Sequence, residues 1–285
     1  MTKAKRMMQE NIKLIDLVIE LVDARIPLSS RNPDIDRLAG NKARILLLNK
    51  SDLADVEYNK EWSMYFKEKG LHVVEINSKS GAGIKAIQGA VQGACREKIE
   101  RDRKRGIVNR PVRAMVVGIP NVGKSTFINS FAGKACTKTG NKPGVTKGKQ
   151  WIRLNKGLEL LDTPGILWPK FEEQAVGMRL AFIGSINDDI LHVDELAIEL
   201  ICFLQKNYPL VLEKRYGLDA LGNGYGQKAE EALEILKGIG QSRHCYLKGE
   251  ELDVMRAASI MVDDFRSGKL GRITLEFPAE MPQKL

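Results

Sequence analysis

The octapeptide Gly118-Ile119-Pro120-Asn121-Val122-Gly123-Lys124-Ser125 constrains this chain more than any other stretch. It fits G-x-x-x-x-G-K-[ST], follows the aliphatic run 112–117 and opens a helical pattern over 124–132. Strand, glycine-rich turn and helix in that order are what a phosphate cradle requires. Glycine lets the backbone approach an anion without a Cβ clash. The successive N–H groups from Asn121 through Val122, Gly123, Lys124, Ser125 and Thr126 are then expected to face phosphate at a helix N-terminus. Lys124 is expected to reach the β- and γ-phosphates, and the Ser125 hydroxyl to ligate Mg2+. The bland alternative is a glycine-rich turn. By average residue usage, the four fixed positions arise by chance in roughly one chain in a hundred of this length.

A phosphate loop alone does not choose between ATP and GTP. Asn49-Lys50-Ser51-Asp52 does, at the end of the aliphatic run 45–48, where α/β folds bind ligands at the carboxyl ends of strands. An Asp carboxylate accepts two hydrogen bonds from the N1–H and N2–H2 of guanine. Adenine offers neither donor and would leave Asp52 desolvated and unpaired, a penalty of several kcal/mol. Asn49 is placed to contact the base edge, and the Lys50 stem to lie along its plane. Alone, N-K-x-D is also a plausible surface loop; beside a phosphate loop it points to guanine. Asn77-Ser78-Lys79-Ser80-Gly81 follows the run 73–76, and its backbone N–H groups are candidates to meet guanine O6, although such residues suit any turn.

Asp162-Thr163-Pro164-Gly165 ends the run 158–161. A D-x-x-G there lets Asp162 hold a Mg2+-bound water while the Gly165 N–H senses the γ-phosphate. Upstream, in the Gly- and Lys-rich stretch 139–149, Thr146 is the candidate for a second hydroxyl on Mg2+, with Thr137 and Thr139 as rivals.

Short aliphatic runs at 14–22, 45–48, 73–76, 112–117, 150–154 and 158–161 read as buried strands. Helical patterns at 58–69, 84–99 and 124–132 lie between them. The alternation predicts an α/β fold, a doubly wound and mostly parallel sheet, with a hairpin at Asn155-Lys156-Gly157. From about residue 174 the pattern becomes helical, at 188–205, 227–238 and 252–267. The expected domains are 1–173, with a charged helix or linker near 96–112, and an all-helical part over 174–285.

The net charge is +9, and it is unevenly placed. The first 174 residues carry +13 and the remainder −4. A polyanionic partner is expected on the N-terminal part; a merely solvated face is the alternative. No apolar run reaches the ~18 residues of a membrane span, and no apolar core follows the basic start Met1-Thr2-Lys3-Ala4-Lys5-Arg6, so no membrane partner and a cytoplasmic location are expected. Cys95, Cys136, Cys202 and Cys245 form no C-x-x-C pair, which argues against zinc and a disulfide framework.

The order of these motifs resembles the circularly permuted GTPases, in which the guanine-reading segment precedes the phosphate loop, and within them the ribosome biogenesis GTPase A (YlqF/RbgA) family. The resemblance spans nearly the whole chain. It runs through Glu20-Leu-Val-Asp-Ala-Arg-Ile-Pro and Ser30-Arg-Asn-Pro, the phosphate loop, and Leu161-Asp-Thr-Pro-Gly-Ile-Leu-Trp-Pro-Lys-Phe. It continues in Arg215-Tyr-Gly-Leu and Lys269-Leu-Gly-Arg. It implies a P-loop NTPase fold, GTP and GDP as ligands with Mg2+, and action late in assembly of the large ribosomal subunit on its rRNA. Asn121 occupies the position that related GTPases associate with a K+ ion near the phosphates; a helix-capping Asn is the alternative. In the permuted order the chain leaves the first domain just after Gly165, so movement of that loop is expected to move the helical part.

Catalysis is expected of Lys124, Thr146 and Gly165, with no water-activating residue found in this chain. Ile166 stands where many GTPases place a Gln and has no hydrogen-bonding group. Family members often begin with a Trp-Phe-Pro-Gly-His segment ahead of Met-x-Lys-Ala, its His being their proposed catalytic group; this sequence starts at Met1-Thr2-Lys3-Ala4. His72, His192 and His244 match no such position. Slow hydrolysis is therefore expected. The rival readings are a nucleotide-gated RNA-binding module and, less in keeping with Asp52, a P-loop kinase or ATPase.

Overall fold

All seven residues of the strand Leu17–Asp23 are buried, which a strand tolerates only when the sheet is covered on both faces. The computed structural model, which describes residues 3–107, 110–133, 150–155, 157–162, 174–187, 192–218 and 225–280, shows what covers it. The strands are β1 (Leu17–Asp23), β2 (Ala43–Asn49), β3 (His72–Glu75), β4 (Val112–Val117), β5 (Gln150–Asn155) and β6 (Leu158–Asp162). Their order in the sheet is β3-β2-β1-β4-β6-β5, parallel except for β5. From β1 the chain winds outward to β2 and β3, then returns to place β4 on the other side of β1. The winding direction therefore reverses between β1 and β4, and the carboxyl ends of those strands flank the crevice where such folds bind ligands.

The accompanying helices are α1 (Lys3–Ile12), α2 (Asp34–Ala39), α3 (Val56–Glu68), α4 (Ala86–Ala94), α5 (Arg96–Lys104) and α6 (Lys124–Ala132). Val18, Met115, Val117 and Leu161 form one cluster with Ile35 and Ala39 of α2, against which Ile12 of α1 packs. Val22, Leu46 and Leu48 form another with Trp62 and Phe66 of α3. The alternate residues Leu17, Ile19 and Leu21 are equally buried, as the period of two requires. Glu20, 2% exposed, is neutralised by Arg31 and Arg44, each at 3.1 Å. Asp55 caps α3 by accepting from the Glu57 N–H at 2.9 Å, a contact worth about 1 kcal/mol.

Two sequence expectations change in detail. Leu14 lies outside β1, half exposed in a turn whose N–H bonds back to Asn11. The single helix expected over 84–99 is two, because Cys95 (φ −101°, ψ 12°) leaves the helical conformation.

The chain divides into two compact units, residues 1–171 with 274–285, and residues 172–273. The sequence predicted helical structure to the end of the chain, but the last segment returns to the first unit. Leu275 N–H bonds the Arg25 carbonyl at 2.8 Å, and the Trp62 indole N–H bonds the Glu276 carbonyl at 2.9 Å. The Glu276 carboxylate, fully buried, accepts from the Leu28 N–H at 2.8 Å, the Ser29 N–H at 3.0 Å and the Ser29 hydroxyl. These contacts are invisible in a sequence because their partners lie more than two hundred residues away.

The second unit contains α7 (Gln174–Phe182), α8 (Val193–Asn207), α9 (Val211–Tyr216), α10 (Ala229–Ser242) and α11 (Val254–Arg266). α8 packs on α10 and α11 through stripes such as Leu196, Leu200 and Leu204. Asp264, 3% exposed, gathers Arg215 at 2.8 Å, Lys269 at 3.0 Å and the Tyr216 hydroxyl at 3.2 Å. The motifs Arg215-Tyr-Gly-Leu and Lys269-Leu-Gly-Arg thus share one buried carboxylate.

Candidate nucleotide site

Two glycines permit the loop that follows β4. Gly118 has φ +156°, and a Cβ there would lie 2.6 Å from the Leu21 carbonyl oxygen of β1. Gly123 has φ +96°, and a Cβ there would lie 2.6 Å from Asn49 Nδ2. The approach at Gly118 is to backbone and leaves no room for a side chain, and at Gly123 a side chain would have to displace the Asn49 amide and adopt a left-handed backbone. Gly123 is the N-cap of α6, so Lys124, Ser125 and Thr126 form the first turn of a helix, whose N-terminal end favours an anion. The Lys124 side chain, 8% exposed, folds back over the loop; its Nζ donates to the carbonyls of Gly118 at 3.0 Å and Ile119 at 2.8 Å.

One side chain ties three motif segments together. Asn49, at the end of β2 and 2% exposed, donates through Nδ2 to the Val122 carbonyl at 2.7 Å. Its Oδ1 accepts from the Ser78 N–H at 3.0 Å and the Ser78 hydroxyl at 2.8 Å. The sequence placed Asn49 against the base edge; in the fold both ends of its amide are turned to protein. The Lys79 and Ser80 N–H groups likewise bond Asn77 Oδ1, at 2.8 and 3.0 Å. Ser51 closes the same joint through its N–H and hydroxyl, both to the Ile76 carbonyl.

Lys50 makes a second joint. Its backbone is left-handed (φ 58°), as is that of Asn121 (φ 62°). Lys50 Nζ donates to the Asn121 carbonyl at 2.9 Å and pairs with Asp23 Oδ2 at 2.9 Å. Burial pulls the Lys50 ammonium below the ordinary lysine range; Asp23 opposes that shift and Arg25 adds to it. Asp23, fully buried, also takes a two-pronged contact from Arg25, Nε and Nη2 both at 2.9 Å. Burial alone would raise the Asp23 carboxyl, but Arg25 and Lys50 outweigh it and hold Asp23 well below the usual carboxylate range. Sequence reasoning assigned Asp23 and Arg25 no role. The available signal was a charged pair, Asp23 and Arg25, at the end of a strand that is apolar apart from Glu20.

Asp52 is exposed on the turn after β2 and makes no hydrogen bond among the described residues. The Asp162 backbone pairs with Val116 at the end of β4, two residues before Gly118. Thr146 and Gly165, with Thr137 and Thr139, lie outside the described residues. The arrangement can hold an anion at the first turn of α6 and present a carboxylate beyond it, with the two halves locked by Asn49 and Lys50.

Fold and site together define a GTPase of the P-loop class whose G-domain segments occur in permuted order. A family model described as 50S ribosome-binding GTPase matches residues 113–215. The ribosome biogenesis GTPase A of Bacillus cereus is 46% identical over 285 residues, covering 100% of this chain and 94% of that protein. The protein of the same name from Thermotoga maritima is 30% identical, covering 98% and 92%. Solved structures of GDP-bound TM YlqF and of GNP-bound YlqF from T. maritima each superpose with a TM-score of 0.66. Their identities are 25% and 26%, and they cover 96% and 98% of this chain and 100% of each of those chains. The chain belongs to the ribosome biogenesis GTPase A family.

Proposed function

We propose that this protein binds GTP in the crevice between β1, β2 and β4, hydrolyses it slowly, and acts late in assembly of the large ribosomal subunit, in contact with rRNA. The observation that carries the nucleotide reading is the Asn49 joint, which holds the N-K-S-D turn against the phosphate loop. Asp52 then reads the N1–H and N2–H2 edge of guanine, and the Lys50 stem runs beside the base towards Asn121. The N–H groups of residues 121–126 face the phosphates, and Lys124 exchanges its loop carbonyls for β- and γ-phosphate oxygens. The relatives' names and the family description support the ribosome as partner.

Hydroxyl and carboxylate oxygens at Ser125 and Asp162 are the hard donors that Mg2+ prefers, and the backbone pairing of Asp162 with Val116 supports their belonging to one site. Ser125 and Thr146 would hold the ion, with Asp162 acting through water, and the ion would offset charge on the phosphates. Asn121 is the proposed contact to a K+ ion, tested by turnover in KCl against NaCl.

A second reading, a nucleotide-gated RNA-binding module in which hydrolysis is not essential, is favoured by Ile166, which cannot orient water. Two measurements decide between the readings and test both. The first is GTP turnover with and without purified large subunits; stimulation supports the enzyme and none supports the module. The second is co-sedimentation with large-subunit particles under GDP and a GTP analogue. Equal binding of ATP and GTP, or binding untouched by Lys124→Ala, would overturn the nucleotide site itself.

A further inference from the structure

α5 packs only lightly, through the partly buried Lys98, Ile99 and Asp102. None of its nine residues is buried, although most helices in proteins owe their stability to an apolar face. Its local supports are the i,i+4 pairs Arg96–Glu100 at 3.0 Å and Lys98–Asp102 at 2.6 Å. Those pairs use two of its three acids. Arg101, Arg103, Lys104 and the adjoining Arg105 make no ion pair among the described residues, and all four are exposed. Asp16 draws the base of this region together, lying 3.6 Å from Lys98 and 3.8 Å from Arg110.

Between α4, α5 and the amino ends of β4 and β6 lies a cavity of about 240 Å³. Its apolar lining includes Val91, Val112, Phe131 and Leu158, and its polar lining includes Gln88, Gln92, Arg103 and Arg110. Gln88 and Gln92 are one turn apart on α4 and so lie on the same face of it, both lining the cavity. The volume is below the ~300 Å³ at which drug-sized ligand sites begin, which suits one flat ring better than a whole nucleotide. The lining is mixed, with apolar walls, two amides, the cations Arg103 and Arg110, and the Lys98–Asp102 pair; this suits a nucleobase, whose faces are apolar and whose edge carries donors and acceptors, with phosphate on either side. From Arg101 to Arg105 the cations without an ion pair span about 6 Å of axis at 1.5 Å per residue, and Arg110 lies beside the same cavity, so together they can meet more than one phosphate.

We propose that this cavity takes one unstacked base of single-stranded RNA while Arg101, Arg103, Lys104, Arg105 and Arg110 hold the phosphates on either side. The site is separate from the GTP crevice. The cavity meets β4 at Val112, and the phosphate loop leaves β4 after Val117, roughly 20 Å further along a six-residue strand. The inference rests on the ribosome reading for its class of partner, and adds where and how the RNA is held.

The test uses the full chain and a short fluorescein-labelled single-stranded RNA of mixed sequence, with its blunt duplex as a comparison. Arg103→Ala with Arg110→Ala is expected to weaken single-strand binding about tenfold or more and to flatten the salt dependence by about 1.4 in log–log slope. Gln88→Ala with Gln92→Ala is expected to weaken single-strand binding and leave duplex binding unchanged. GTP affinity stays at the wild-type value in both, which shows that the variants fold. RNA carrying 4-thiouridine is expected to crosslink within residues 88–92 or 129–133, around Phe131. Wild-type affinity in both variants, crosslinks only elsewhere, or equal competition by polyglutamate or a free nucleoside monophosphate would each overturn the slot. If the wild-type protein fails to co-sediment with large subunits, the ribosome reading falls. If it co-sediments and the slot variants match it in RNA affinity, only the slot falls.

Discussion

Asn49 and Val122 stand 73 residues apart in the chain, yet the Asn49 amide nitrogen lies 2.7 Å from the Val122 carbonyl oxygen. That contact joins the end of β2 to the phosphate loop after β4, although β1 lies between the two strands in the sheet. The other end of the same amide holds Ser78 after β3.

Asn49→Ala removes a donor and an acceptor from a buried joint and leaves three groups without their partner. Each unsatisfied group costs about 1–3 kcal/mol. The expected outcome is a protein that still folds but releases fluorescent GDP at least about tenfold faster in stopped-flow chase experiments, since 1.4 kcal/mol is already a factor of ten. A release rate equal to wild type would show that the joint does not hold the site.

Asp52→Asn should exchange one base for another. Xanthine carries a carbonyl where guanine carries its amino group, so it calls for a donor where guanine calls for an acceptor, and the Asn amide supplies one. GTP affinity is expected to fall by about two to three orders of magnitude and XTP affinity to rise, both measured by competition against a fluorescent nucleotide. GTP binding that persists unchanged would remove Asp52 from the base-reading role.

Asp23 gives the first unit a dependence on acid. Its folded pKa lies below the unfolded value of about 3.9. The stability it contributes is therefore complete above that unfolded value and is lost as pH falls through the lower, folded one. Asp23→Asn leaves Arg25 and Lys50 buried without their carboxylate, which is expected to cost about 3–5 kcal/mol at pH 7. Urea unfolding between pH 2 and pH 7 should show the gap between wild type and variant narrowing on the acid side. A gap constant over that range would mean that the charge of Asp23 is not what matters.

The returning segment is expected to be a stability element of the first unit. Glu276→Ala removes the acceptor for two backbone N–H groups and the Ser29 hydroxyl. A loss of about 3 kcal/mol or more follows, because hydrogen bonds to a charged group contribute about 1.5–3 kcal/mol each. Ending the chain at Ile273 should cost more, since the Trp62 indole N–H then also loses its carbonyl. Chemical denaturation followed by Trp fluorescence reads both changes. A truncated chain as stable as the full one would rule out this anchoring.

The strands and the phosphate loop were legible because their information is local. A run such as Val112 to Val117 is apolar at nearly every position, and the glycines of the following loop mark where backbone must pass close to something. Gly118 and Gly123 were readable as necessary, but what they make room for was not: the Leu21 carbonyl and the Asn49 amide. The break at Cys95 was missed because two helices in succession carry one continuous helical pattern. The joint around Asp264 in the second unit was missed for another reason, since Asp264 reads as one more charge on α11 until Arg215 and Lys269 are brought to it.

By itself the sequence determined the alternation of strand and helix, the glycine-rich loop between β4 and α6 and the permuted order of the motifs. All of these follow from periodicity and from neighbours within a few residues. Only the tertiary structure decided that Asn49 faces the loop and Ser78, that Lys50 is held by Asp23 and the Asn121 carbonyl, and that the chain from Thr274 onward returns to the first unit. Those choices turn on which groups can satisfy one another once water is excluded. Buried donors and acceptors must pair wherever the fold brings them together, and spacing along the chain carries no record of that distance.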